Sequence, residues 1–201
     1  MFSLIAAAGW PIWFLILASI LALALVVERY LSLQRNKILP PRLLDEVLSL
    51  HRGRQISPEM IQKLERNSPL GRVFATGLRY ERSPRPVMKE AMEEAGRSVA
   101  HELEKHVGAI GTIASIAPLM GLFGTVIGMI EIFGSSAPTG TNPQQLAHGI
   151  SVALYNTAFG LVIAIPAMIA YRFYRSRVDD FLVEMEQQSL RLIESLGGSS
   201  K

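Results

Sequence analysis

The chain of 201 residues contains no cysteine, which excludes disulfides, thiolate metal ligands and thiol catalysis. A second absence is positional. Lysine and arginine number 20, and none falls in residues 1–28 or 106–171; 15 lie in 29–105 and 5 in 172–201. Acidic residues thin out in the same stretches, leaving only Glu28 and Glu131. With 18% charged residues and a mean hydropathy of +0.28, the chain is too apolar for an ordinary soluble domain. Its charge-poor stretches hold three long apolar runs, so it reads as an integral membrane protein. A pI near 9.4 invites a nucleic-acid reading. Residues 28–105, however, set 11 acidic residues among the 15 basic ones, a mixture that fits a surface facing a membrane and not a nucleic-acid partner.

Short segments rich in Lys and Arg stay in the cytoplasm. The N-terminus and the loop 134–148 are therefore expected outside, with 31–105 and 172–201 inside. The first apolar run, 6–27, dominates segment 1–30. It reads as a retained span, because Met1-Phe2-Ser3 lacks a basic n-region and the run is too long for a signal peptide. Trp10 and Trp13 mark its outer end and Tyr30 its inner end. The second run, 107–130 within 106–133, and the third, 149–171, carry no formal charge. About 20 residues at 1.5 Å rise cross a hydrocarbon core of about 30 Å. The expected fold is all-α, with three transmembrane helices and long cytoplasmic helical extensions.

Ser57-Pro58, Ser68-Pro69 and Ser83-Pro84 each pair a capping residue with a proline suited to a first helical turn. Helically spaced apolar residues follow, among them Val73, Phe74 and Leu78, then Met88, Met92, Val99 and Leu103. No breaker separates the last stripe from the second run, so one helix is expected over 86–133, roughly 70 Å long. Val178, Phe181, Met185, Leu192 and Leu196 extend a stripe beyond the third run until Gly197-Gly198.

The second and third runs are rich in small and hydroxyl-bearing residues. The second holds Pro118, Gly121, Gly124, Thr125 and Gly128; the third holds Ala153, Thr157, Gly160, Ala164 and Pro166. Small residues let membrane helices approach closely. The sharper reading is that Thr125 and Thr157 present hydroxyls to a wet interior. Glu131 and His148 sit at the outer ends and are the candidates for an outer mouth. A proton pathway needs an ionisable group at membrane depth, and the two runs supply none. Other chemistry fails on geometry: His101 and His106 are five apart, about 140° round a helix, and cannot clamp one metal. No nucleophile–base set and no cofactor motif appears, so no enzyme is expected.

Residues 117–128, Ala-Pro-Leu-Met-Gly-Leu-Phe-Gly-Thr-Val-Ile-Gly, resemble the second-span signature of the MotA/TolQ/ExbB family. Residues 149–161, followed by Ala164-Ile165-Pro166-Ala167, resemble its third-span signature, and three spans at this length resemble the ExbB/TolQ branch. The resemblance implies a homopentameric ring in the bacterial inner membrane, its second and third helices lining a pore. That pore would hold a dimer of an ExbD/TolR-like single-span partner bearing the proton-carrying aspartate. It also implies that Thr125 and Thr157 line the ion path, with Pro118, Gly121, Gly124, Gly128, Gly160 and Pro166 as structural parts of the lining. The implied function is proton-driven energising of a TonB-like protein for outer-membrane transport. A TolQ-like role in envelope integrity and division, or a non-conducting scaffold, are the alternatives. One position departs from the pattern: Val152 stands where the branch usually has a glutamate.

Overall fold

The computed structural model of the chain describes residues 9–53, 55–134 and 143–197, apart from the side chains at 145, 146, 148, 152 and 197. Among the described residues there are eight helices and no strand. They are α1 Pro11–Ser32, α2 Arg35–Ile38, α3 Leu43–Arg52, α4 Pro58–Asn67, α5 Pro69–Arg79, α6 Arg85–Glu104, α7 Val107–Gly134 and α8 Pro143–Gly197. Stretches within Pro11–Ser32, Arg85–Gly134 and Gly149–Leu196 are long and apolar enough to cross a membrane, which agrees with the three expected spans. The chain divides into two compact units. One comprises Met1–Arg29 and His106–Phe173; the other comprises Tyr30–Lys105 and Tyr174–Lys201.

In the first unit, α1 begins at Pro11; residues 1–8 of the expected segment 1–30 lie outside the described residues. Gly9 has φ 76°, outside helical space, and proline belongs at a first helical position because its missing N–H has no intrahelical partner there. Ile12, Leu15 and Ala22 face inward, while Trp13, Phe14, Leu17 and Ile20 stay exposed, as suits a helix flanked by lipid. The core of this unit is the seam between α7 and α8. On α7, Val107, Ile110, Ala114, Ala117, Gly121 and Gly124 are buried at alternating steps of three and four, the spacing that keeps one stripe facing a partner helix. Ala153, Asn156, Gly160, Ala164 and Ala167 form the buried stripe of α8.

Glycine is required where these backbones meet. A Cβ on Gly121 would lie 2.7 Å from the Asn156 carbonyl oxygen, and one on Gly160 would lie 2.6 Å from that of Ala117. Gly111 faces the Tyr171 ring, Gly128 faces Ala153 and Gly149 faces Ile132. Rising numbers on α7 thus meet falling numbers on α8, so the two helices are antiparallel.

The single helix expected over 86–133 is two helices. Lys105 is extended (ψ 137°) and His106 has φ 68°, so the chain breaks between α6 and α7. Histidine in the left-handed region is uncommon, and no glycine or proline announces the break. The α8 helix behaves in the opposite way. It starts six residues before the expected 149, at Pro143, and runs unbroken through Pro166 to Gly197. Pro118 likewise lies inside a continuous helix.

In the second unit, the Ser57 hydroxyl accepts from the Met60 N–H at 3.2 Å, and that of Ser68 from the Gly71 N–H at 3.0 Å. Both expected caps form. Ser83 does not cap: α6 starts at Arg85, which makes Pro84 the N-cap residue and leaves Ser83 one position too early. Leu70, Val73, Phe74, Ala75 and Leu78 of α5 are buried. The expected stripes of α6 (Met88, Met92, Val99, Leu103) and of the distal part of α8 (Val178, Phe181, Met185, Leu192, Leu196) are buried as well. Ion pairs such as Arg35–Glu184 (2.8 Å) and Arg72–Glu102 (2.7 Å) decorate its surface, where exposure limits each to about 1 kcal/mol or less.

Two outcomes follow. Gly121→Ala drives a methyl group into the α8 backbone and destabilises the detergent-solubilised protein by about 1–3 kcal/mol. Gly108→Ala, with nothing within 4 Å of the added carbon, leaves the thermal transition unchanged. At the break, His106→Gly and His106→Val both lose the histidine, but the valine variant is less stable by about 1–2 kcal/mol because it must hold a left-handed backbone. Thermal unfolding of the pair measures the difference.

Candidate functional site

The small-residue seam fixes which side chains flank it. Thr125 follows Gly124 and Thr157 follows Asn156, so each threonine lies about 100° round its helix from a seam residue. Because α7 and α8 are antiparallel, an offset of the same sense on each helix leads to the same side of the pair. Thr125 and Thr157 therefore share one flank, and both are half-buried. Pro118, seven residues before Thr125, lies near the same line and is also half-buried.

Four hydroxyls of this region turn back onto their own helices. Thr125 Oγ1 donates to the Leu122 carbonyl at 2.6 Å. Thr112 donates to Gly108 at 3.0 Å, Ser115 to Gly111 at 2.9 Å and Ser151 to Ala147 at 2.9 Å. A donor satisfied within its own helix can sit in an apolar surrounding without the cost of an unmade hydrogen bond.

Gly121, Gly124 and Gly160 are buried in the seam, and Gly128 is half-buried at its edge against Ala153. Their immediate role is close helix contact. Pro166 is exposed and lies nine residues from Thr157, about 180° round α8, on the opposite side from the threonine flank. Glu131 is exposed, about 120° round α7 from Thr125. His148 belongs to α8 and Val152 does too, with side chains outside the described residues. The structure thus brings Thr125, Thr157 and Pro118 onto one flank and does not bring Pro166 or Glu131 there.

Two features lie beyond what the sequence indicated. Asn156 is 1% exposed, its amide packed against Gly124: a Cβ there would lie 2.8–3.0 Å from the Asn156 Cβ, Cγ and Nδ2 atoms. An amide in an uncharged run was the available signal. The second is a charged cluster within the first unit. Arg29, its side chain 7% exposed, donates from Nε and Nη2 to the two Glu28 carboxylate oxygens, both at 2.6 Å, and His106 Nδ1 lies 3.4 Å from Glu28 Oε2. Nothing in the sequence links residue 28 to residue 106. Among the described residues, no group of three His, Asp or Glu side chains could hold a metal ion.

Residues 65–187 match the MotA/TolQ/ExbB proton channel family. The chain is 32% identical over 163 residues to the ExbB-like 3 protein of Synechocystis sp., an alignment covering 79% of this chain and 77% of that one. It is 40% identical over 88 residues to biopolymer transport protein exbB1 of Vibrio cholerae, covering 43% of this chain and 39% of the relative. It is 38% identical over 101 residues to the Tol-Pal system protein TolQ of Haemophilus influenzae, covering 48% and 44%. The matched residues contain α7 whole and α8 through its apolar part, the two helices whose seam organises the site. The chain belongs to the MotA/TolQ/ExbB proton channel family.

Proposed function

We propose that this chain is the channel-forming stator subunit of a proton-driven motor of the ExbB kind in the bacterial inner membrane. Its N-terminus faces the periplasm and its C-terminus the cytoplasm, as the distribution of Lys and Arg favours. Five copies form a ring, with the Thr125–Thr157 flank of each α7–α8 pair turned to a central pore. A dimer of an ExbD-like single-span protein occupies that pore and supplies the aspartate that 107–130 and 149–171 lack. The observation that carries this reading is one shared flank bearing two hydroxyls, on apolar runs, 107–130 and 149–171, that contain no carboxylate.

The mechanism follows from charge and depth. Each proton crossing the membrane releases roughly 2.3 kcal/mol per 100 mV, so several are needed for substantial work on a distant TonB-like protein. Protonation neutralises the partner's aspartate and lets it pass an apolar sector of the ring. The Thr125 and Thr157 hydroxyls then solvate it at each step, and Val152, which cannot ionise, leaves the relay to the partner alone. The likeness to TolQ supports a second reading, a subunit serving envelope integrity, and a neighbouring gene for a Pal-like or a TonB-like protein separates the two.

Replacing both threonines by valine conserves side-chain shape and removes both hydroxyls. Proton flux through vesicles containing the chain and its single-span partner is expected to fall about tenfold or more, while the mass of the intact complex stays the same. Flux at the unmodified level with both valines in place would refute the assigned path.

A further inference from the structure

We infer that Asn156 is a positioning residue, whose buried amide fixes the rotation of α8 against α7 and so aims Thr157 along the flank it shares with Thr125. The functional half of the inference rests on the proposed ion path; the rotational half stands on geometry alone.

Axial register is already set at the two ends of the seam. Ile132 fills the space over Gly149, and Tyr171 covers Gly111. Between these two large side chains the facing residues are Ala114, Ala117, Gly121 and Gly124 on α7, and Ala153, Gly160, Ala164 and Ala167 on α8. Gly121 and Gly160 admit the two backbones to contact, and the alanine methyl groups around them carry no polar preference for one rotation over a neighbouring one. The outward face of α8 offers no opposing preference, since Leu154, Val162, Ile165 and Ile169 are apolar and exposed. Asn156 is the one residue in 149–171 with a side-chain amide, and it is 1% exposed.

An amide turned toward hydrocarbon is costly, and this asymmetry holds the helix face inward. The position of the amide ties it to the hydroxyls. Its side chain fills the hollow at Gly124, the residue before Thr125, and the next residue along its own chain is Thr157. A rotation that carried Asn156 off Gly124 would carry Thr157 away from the shared flank by the same angle.

The cysteine-free sequence allows a direct test. A Cβ on Gly128 would stand 3.2 Å from the Ala153 Cβ, so Gly128→Cys with Ala153→Cys reports the native facing. Gly128→Cys with Leu154→Cys reports a rotation of one residue. Both pairs are oxidised in the assembled complex with its single-span partner, carrying either Asn156 or Asn156→Leu, which has similar volume and no amide. The ratio of native to rotated cross-link is expected to fall about tenfold with leucine. The exchange Asn156→Gly with Gly124→Asn, which returns an amide to the same contact from the other helix, is expected to restore it.

Proton flux, measured without the cysteines, follows the ratio. An unchanged ratio in Asn156→Leu overturns the inference, whatever the flux does, and failure of the exchange to restore the ratio overturns it too. If the leucine chain does not assemble, Asn156→Ala is scored by the same ratio. A ratio that falls while flux persists upholds the rotational role and refutes the ion path along the threonine flank.

Discussion

Close contact between two helix backbones is the constraint on which the first unit depends. Leucine side chains cannot drive α7 and α8 together within a bilayer, because lipid tails are equally apolar. What remains is dispersion between surfaces near enough to touch, and that requires side chains to be absent. Gly121 and Gly160 supply the absence where the Asn156 and Ala117 carbonyls approach. Because the contact stripe is so narrow, the residue one step along each helix falls at its edge, and at two levels that residue is a threonine.

Some of this was legible in the sequence for clear reasons. The three spans were, since their signal is a summed one: a long run without charge survives any error at a single residue. The two formed caps at Ser57 and Ser68 were legible because the interaction is local, within three residues of chain. The glycines announced a close approach, but not its partner. Whether Gly121 meets a neighbouring helix of the same chain, another chain or a pore depends on tertiary geometry that helical spacing does not contain.

The misreadings were local backbone events without a residue-type marker. A break at Lys105–His106 needs a histidine in left-handed conformation, a choice the chain makes without glycine or proline. Hydropathy marks the third apolar run at 149–171, whereas the helix that carries it opens at Pro143. Ser83 was one residue out of position for capping, a margin that propensity cannot resolve.

The back-bonded Thr125 hydroxyl gives the flank a chemical sense. Its hydrogen is committed to the Leu122 carbonyl, so the oxygen offers only lone pairs to whatever lies beside it. Such a group welcomes a hydrated cation or the O–H of a neutral carboxylic acid and gives an ionised carboxylate nothing to bind. In the proposed motor, an acid passing Thr125 is met on favourable terms only after it has taken up its proton.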